Sequence, residues 1–310
     1  MQTPRADLER ALDELRTASW TIDLVHTARA NDAMRLARTA VEEKLDAFIV
    51  CGGDGTLNEA ANGLLGSETA LGVLPMGTGN VWAKEMGMPI GDLVLGARRL
   101  RDADVRAIDV GQVSGSGLSR TEEDAGDTEN RNASRIFVLW TSVGLDAAVT
   151  HRVEPQREMK RRWGAWFFWT EGVREGWNYR GKHAQLTFGD KRLRQRVIVA
   201  LVANAQLYAG ITRMAPDAKV DDGLLDLVVL KGTGTWATAW HVARVLLRLH
   251  VHDPQTEIYR VSTLKIAAKK MPLQVDGEPI GTTPVEISVL PRALKVLVPK
   301  TANRNLFSNW

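Results

Sequence analysis

Residues 51–59, Cys51-Gly52-Gly53-Asp54-Gly55-Thr56-Leu57-Asn58-Glu59, follow an apolar run, Ala47-Phe48-Ile49-Val50, and lead into a helix-patterned segment from Leu57 to Leu65. The order is strand, glycine turn, helix. Three glycines around one carboxylate let the backbone approach an anion and aim N–H groups at it, beside the positive end of the following helix. An ordinary strand-to-helix turn needs one glycine, so this stretch reads as a phosphate cradle. A second strand, Leu71 to Leu74, ends in Pro75-Met76-Gly77-Thr78-Gly79-Asn80 and is followed by a helix from Val81 to Met86. Strands alternating with helices indicate a parallel sheet with crossover helices, and two glycine turns at the same ends of neighbouring strands would line one crevice. Neither turn matches the GxxxxGK[ST] phosphate loop or the GxGxxG dinucleotide fingerprint.

Upstream, Leu8, Leu12 and Leu15 share one face of a helix from Asp7 to Leu15, a short strand is expected from Trp20 to Val25, Thr27 opens a polar turn, and Ala33 to Leu45 reads as a helix. The pattern changes near residue 105. Strands at Arg106 to Val113 and Arg135 to Val143 flank a Gly-, Ser- and acid-rich segment, Ser114 to Ser134, read as a solvated hairpin loop. Further strands are expected at Ala184 to Phe188, Arg196 to Ala203 and Leu224 to Leu230, with a long loop from Asn204 to Gly223 and a helix from Thr235 to His250. Short strands then fall near 262–267, 272–275, 284–289 and 294–298. The expected architecture is an N-terminal α/β nucleotide-binding domain with a parallel sheet, residues 1–106, a mainly β C-terminal sandwich, residues 107–298, and a tail, 299–310.

With 40 Lys and Arg against 37 Asp and Glu, the net charge of +3 does not by itself indicate a nucleic-acid binder. The basic residues are concentrated. His151 to Lys182 holds eight Lys or Arg against four Glu, and four of the ten tryptophans. Trp163, Trp166 and Trp169 recur every three residues, just after Lys160, Arg161 and Arg162. Basic residues beside aromatics suit an anionic membrane surface; a buried amphipathic helix with tryptophans in the core is the equal alternative. No RNP, KH or helix-turn-helix signature accompanies them, so no nucleic-acid partner is expected. One cysteine, Cys51, excludes an internal disulfide, and no run approaches the roughly 18 apolar residues of a membrane span. A cytoplasmic protein with peripheral membrane contact is expected. The six histidines lack metal-ligand spacing, so no zinc site is read.

Five separated motifs together resemble one family, the diacylglycerol kinase catalytic-domain family, which includes bacterial soluble lipid kinases and sphingosine kinases and is distantly related to NAD kinases. They are Gly52-Gly53-Asp54-Gly55-Thr56, Leu74 to Asn80, Ser142-Val143-Gly144-Leu145-Asp146, Ala215-Pro216-Asp217-Ala218 through Asp222-Gly223-Leu224-Leu225-Asp226, and Val275-Asp276-Gly277-Glu278-Pro279. The resemblance implies an active site in a cleft between the two domains, ATP and Mg²⁺, and phosphoryl transfer to a lipid hydroxyl. Diacylglycerol is the default substrate class.

Asp54 cannot simply touch the triphosphate, because two like unit charges at 4 Å repel by roughly 4 kcal/mol at an effective dielectric near 20. It is therefore expected to act through Mg²⁺. Gly52, Gly53, Gly55, Thr56, Gly77, Thr78, Gly79 and Asn80 are expected at the nucleotide phosphates, and the resemblance adds Thr27 near the adenosine and Lys160 at the transferring phosphate. Asp276 and Glu278, two apart, would face one side of an extended strand and could converge on one proton; the resemblance implies that one of them, Glu278 favoured, is the general base, and the alternative for Asp276-Gly277 is a hairpin turn. The resemblance further implies a second metal site from Asp222 and the carbonyls of Lys219 and Leu224, with Asp109 as an acid near the metal. The chain departs from the family pattern in three places. The usual first strand with its Asn-Pro turn is absent, Val81 stands where the family carries Asp, and the glycine run before Pro216 is thinned to Ala209-Gly210-Ile211. An NAD kinase-like enzyme and a catalytically weak nucleotide- or membrane-binding protein are the competing functional readings, and a homodimer is left open.

Overall fold

The computed structural model describes residues 4–118, 134–153, 174 and 179–310. The chain divides into two compact units, one made of Met1–Ile108 with Arg292–Trp310 and the other of Asp109–Pro291.

In the first unit, α1 (Pro4–Thr17) buries Leu8, Ala11, Leu12 and Leu15, one face at helical spacing, against α5 (Leu93–Arg101). Asp92 caps α5 by accepting the Leu95 N–H at 2.9 Å. Helix α2 (Asp32–Glu42) turns Ala33, Ala37 and Ala40 inward, and these small side chains let α3 (Asp54–Leu64) come close: a methyl on Gly63 would lie 2.5 Å from the Met34 carbonyl oxygen. Strand β1 (Ala47–Gly52) pairs in parallel with β2 (Ala70–Pro75), from Ala47 opposite Ala70 to Gly52 opposite Pro75. A short helix, α4 (Val81–Glu85), follows β2.

The strand expected at Trp20 to Val25 does not form. That stretch runs without sheet pairing, and Leu24 and Val25 are exposed. Among the described residues β1 has β2 as its one partner, so no neighbouring edge takes the segment up. Its far end is instead held to α2, where the Asp32 carboxylate accepts the N–H groups of Ala28 (2.9 Å) and Arg29 (3.1 Å).

Strand β3 (Asp104–Ser114) leads into the second unit, which continues through β4 (Ser134–Phe137), β5 (Trp140–Gly144), α6 (Leu145–Val153), β6 (Lys182–Phe188), β7 (Lys191–Ala203) and the two-residue strands β8 (Leu207–Tyr208) and β9 (Thr212–Arg213). Next come β10 (Leu225–Lys231), α7 (Gly234–Leu246), β11 (Thr256–Val261), β12 (Thr263–Ala268), β13 (Pro272–Val275), β14 (Glu278–Thr282) and β15 (Val285–Val298). The pairings β6 with β7, β7 with β10, β10 with β11, β5 with β7 and β13, and β12 with β6 and β15 are antiparallel. Alternate residues such as Ala184, Leu186 and Phe188 of β6 point into a core shared with Val197, Leu227, Leu264 and Leu273.

The two strands read at 284–289 and 294–298 are one strand, β15, and its last part returns to the first unit, where Val296 pairs with Leu71. The segment 299–310 is no loose tail, because Leu306 and Phe307 are buried and the Arg106 guanidinium lies 4.8 Å from the Trp310 ring centroid. No helix among the described residues is long and apolar enough to cross a membrane.

Candidate active site

The two glycine turns meet in the first unit. The parallel register puts Gly52 beside Pro75, and the Met76 N–H donates to the Gly52 carbonyl at 3.0 Å. Gly53 is the extended residue before α3, and a methyl on Gly77 would lie 2.5 Å from the Gly53 Cα. Backbone meets backbone there, which requires the glycines. The α3 helix starts at Asp54, earlier than the expected Leu57, so Gly55 and Thr56 are in its first turn, where N–H groups lack helical acceptors. The Thr56 side chain lies within 3.3 Å of where a Gly52 methyl would be. Asn80, expected at the phosphates, is committed to shaping the turn: its Oδ1 accepts the Gly77 N–H at 3.0 Å and its Nδ2 donates to the Gly77 carbonyl at 2.6 Å. Thr27 is exposed in the stretch that forms no strand.

Asp54, the first residue of α3, is half-buried and reaches the start of α4. Its Oδ1 accepts the Trp82 N–H at 3.2 Å, and a methyl on Gly79 would lie 2.9 Å from its Oδ2. Burial pushes its carboxyl above the ordinary carboxylate range, against the lowering effect of nearby backbone N–H groups and the Lys84 ammonium. A half-buried carboxylate beside two backbone cradles suits a cation that arrives with a phosphate ligand, since Mg²⁺ needs one or two carboxylates when phosphates complete its shell. Val81 is buried, so this turn offers no second acid at that position.

The Asp276-Gly277-Glu278 motif lies in the second unit, and the expected convergence of its two acids on one proton is corrected. Asp276 (φ 45°) and Gly277 (φ 86°) form the two-residue turn between β13 and β14, where Val275 pairs with Glu278. The Asp276 carboxylate points inward and accepts the N–H groups of Val138 (2.9 Å), Leu139 (3.0 Å) and Trp140 (2.9 Å). Asp276 therefore builds the turn, while Glu278 is exposed at the first position of β14.

The expected second metal site is also held by protein partners. Asp109, fully buried, accepts the Gly223 N–H at 2.6 Å. Asp222 accepts the Leu224 N–H at 3.0 Å through Oδ1, and its Oδ2 is paired with the Arg260 guanidinium. A guanidinium thus already occupies the carboxylate that was to bind a cation, and no group of three or more His, Cys, Asp or Glu able to hold a metal occurs among the described residues. Lys160, Arg161, Arg162, Trp163, Trp166 and Trp169 lie outside the described residues, as does most of the acidic loop, 119–133.

The second unit also contains a feature to which sequence reasoning gave no role. An apolar pocket is walled by Leu145 and Val149 of α6, Ile198 and Leu201 of β7, and Val242 and Val245 of α7, with Asp146 and Tyr208 among its few polar residues. Asp146 is buried and accepts hydrogen bonds from the Ser142 and Tyr208 hydroxyls and from Gln274 Nε2 (3.2 Å). Burial raises both Asp146 and Tyr208 above their ordinary ranges, against the lowering effect on Asp146 of the hydrogen bonds from Ser142, Tyr208 and Gln274. Gln274 extends the cluster: its Nε2 also donates to Ser142 Oγ at 2.9 Å, and its Oε1 accepts the Gly277 N–H at 2.7 Å. The polar side of the pocket is thereby linked through one side chain to the turn that carries Glu278. The Ser142 to Asp146 motif was the available signal, but its partners Tyr208 and Gln274 are far away in sequence.

An α/β unit with paired glycine turns and a β-rich unit with an Asp-Gly-Glu turn together define a kinase-like architecture. Residues 2–113 match the family model described as "Diacylglycerol kinase catalytic domain" and residues 140–298 match "YegS C-terminal NAD kinase beta sandwich-like domain". The chain belongs to this family of diacylglycerol kinase and YegS-like lipid kinases. It is 28% identical over 297 residues to a diacylglycerol kinase of Bacillus subtilis, covering 94% of this chain and 91% of the relative. It is 27% identical over 274 residues to a diacylglycerol kinase of Mycobacterium tuberculosis, covering 87% and 82%. Among solved structures it is similar to a diacylglycerol kinase of Bacillus anthracis, with a TM-score of 0.71 at 19% identity, covering 98% of this chain and 94% of that one.

Proposed function

We propose that this lipid kinase transfers the γ-phosphoryl group of ATP to the hydroxyl of diacylglycerol or a closely related lipid met at a membrane surface. The observation that carries the choice of substrate is the apolar pocket, whose buried Asp146 cluster is joined by Gln274 to the turn bearing Glu278. A long acyl chain needs an apolar wall, and a hydroxyl-bearing head needs fixed polar partners. The relatives from Bacillus subtilis and Mycobacterium tuberculosis carry the same substrate in their names.

In this reading the N–H groups around Gly53, Gly55 and Gly79, with the hydroxyls of Thr56 and Thr78, hold the triphosphate, and Asp54 holds Mg²⁺. When bound, Mg²⁺ supplies positive charge to the phosphate oxygens. Glu278 takes the proton from the lipid hydroxyl as its oxygen bonds to the γ-phosphorus, and the bond from that phosphorus to the β,γ-bridging oxygen breaks to release ADP. Asp276 positions Glu278 by fixing the turn. The test is labelled ATP with diacylglycerol, a sphingoid base, phosphatidylglycerol and NAD, offered separately to the wild type and to Val242→Trp, which narrows the pocket. Labelled phosphatidic acid from the wild type, and loss of long-chain but not dihexanoyl substrate in the variant, is the expected result. Labelling of NAD alone contradicts the proposal.

A further inference from the structure

Helix α7 (Gly234–Leu246) has two unlike faces. Thr238, His241 and Val245 are buried and, with Val242, close one side of the apolar pocket. The opposite face carries Trp236, 89% exposed, Trp240, 53% exposed, and Leu246. It continues past the helix end into Leu247, 67% exposed, and Leu249. Scattered apolar residues are normal on a surface, but five large ones on a single helix and its exit turn form a patch.

The chemistry of its neighbours selects the partner. From Gly232 to His252 there is no Asp or Glu; His241 and His250 are buried, Arg244 is paired with the buried Asp253 at 3.1 Å, and Arg248 is exposed. The Trp240 indole is fixed in place, with its Nε1 donating to Asp253 Oδ2 at 2.7 Å and the Arg244 guanidinium 5.4 Å from its ring centroid. Arg248 is exposed between Leu247 and Leu249. Tryptophan and leucine on one face, with the exposed Arg248 among them and the nearest acid, Asp253, buried and neutralised by Arg244, are the pattern of a surface that seats in the headgroup layer of an anionic bilayer. A purely apolar protein groove would leave Arg248 to be desolvated without a counter-charge.

We infer that the outer face of α7 docks this chain on an anionic phospholipid bilayer, with the inner face of the same helix walling the pocket. That the pocket then receives an acyl chain from the bilayer rests on the lipid-kinase substrate proposed above; the docking does not.

The test is sedimentation with vesicles of phosphatidylcholine alone or mixed with phosphatidylglycerol, on the wild type, Trp236→Glu/Leu247→Glu, and Val105→Glu, which charges an exposed valine in the first unit. The wild type is expected to bind the mixed vesicles more tightly than the neutral ones and to weaken as salt rises. The α7 double variant should melt like the wild type, bind about tenfold or more weakly, and keep its activity on dihexanoylglycerol in free solution. Val105→Glu should bind like the wild type. Equal binding by the double variant overturns the inference, as does failure of the wild type to bind the mixed vesicles. Self-association lost in the double variant while vesicle binding persists would make the patch a contact between copies and overturn it too. If the chain binds vesicles through α7 but phosphorylates no lipid, the substrate proposal fails and the docking stands.

Discussion

Asp276 and Trp140 hold each other twice: the Trp140 N–H donates to the Asp276 carboxylate at 2.9 Å, and the Asp276 N–H donates to the Trp140 carbonyl at 2.9 Å. With Val138 and Leu139 also donating to the same carboxylate, three buried backbone donors depend on one side chain. Asp276→Ala leaves them without this acceptor and should cost about 3 kcal/mol or more in urea unfolding, since each orphaned buried donor costs roughly 1–3 kcal/mol. Glu278→Gln should unfold within about 0.5 kcal/mol of the wild type, as exposed substitutions do. A Glu278→Gln that unfolds as readily as Asp276→Ala contradicts this division of roles.

The contact between the glycine turns predicts a graded response. A methyl at Gly77 would lie 2.5 Å from the Gly53 Cα, whereas one at Gly53 meets the Gly77 Cα at 3.3 Å. Gly77→Ala should therefore lose about 1–3 kcal/mol of stability, the range for overpacking, and raise the KM for ATP. Gly53→Ala should do less of both. Thermal melts and initial rates at varied ATP measure the two effects, and an inverted order would refute the close approach.

Asp226 gives the pH dependence a sign. Burial raises its carboxyl to about 6, with Asp222 and Asp217 adding to the rise and Arg260 opposing it. The folded state binds this proton more tightly than the unfolded state, so the stabilisation is complete below the ordinary carboxylate pKa and is lost as pH rises through about 6. Asp226→Asn should remove that slope. Relative to the wild type it gains stability between about pH 4 and pH 6.5, by at most about 3 kcal/mol at 1.36 kcal/mol per pKa unit. Parallel unfolding curves for the two proteins across that window would contradict it.

Tyr208 donates to the buried Asp146, and this bond is one of three that offset the burial of the carboxyl. Tyr208→Phe should lower stability by about 1–2 kcal/mol, the cost of an unmade buried hydrogen bond. If the cluster orients the lipid head, its KM for diacylglycerol rises while the KM for ATP is unchanged. Equal changes in both would assign the tyrosine a purely structural role.

The pair of glycine turns was legible in the sequence because its constraint is local. Gly53 and Gly77 must be glycine for two backbones to touch, and the strands before them are short apolar runs, so the turns and the parallel register between β1 and β2 followed from residues within one stretch of chain. What depends on distant partners was not legible. The apolar pattern at Trp20 to Val25 suits a strand, but a strand needs a neighbour. Asp276 and Glu278 have the spacing of two residues on one face, yet the left-handed turn at Asp276 and Gly277 breaks that face. The strands expected at 284–289 and 294–298 left a gap at 290–293, where β15 in fact continues through Pro291 and Arg292. Tyr208 and Gln274 reach Asp146 only through the fold, so no spacing rule could join them.

The division of labour between the two units is tested most directly by measuring ATP binding and phosphoryl transfer to diacylglycerol on the same preparations of wild type, Asp54→Asn and Glu278→Gln, with Mg²⁺ present. Glu278→Gln is expected to bind ATP with unchanged affinity while transfer falls by about 10²- to 10⁴-fold, the usual contribution of a general base, and Asp54→Asn is expected to lose both. Transfer that survives in Glu278→Gln at the wild-type rate would contradict it.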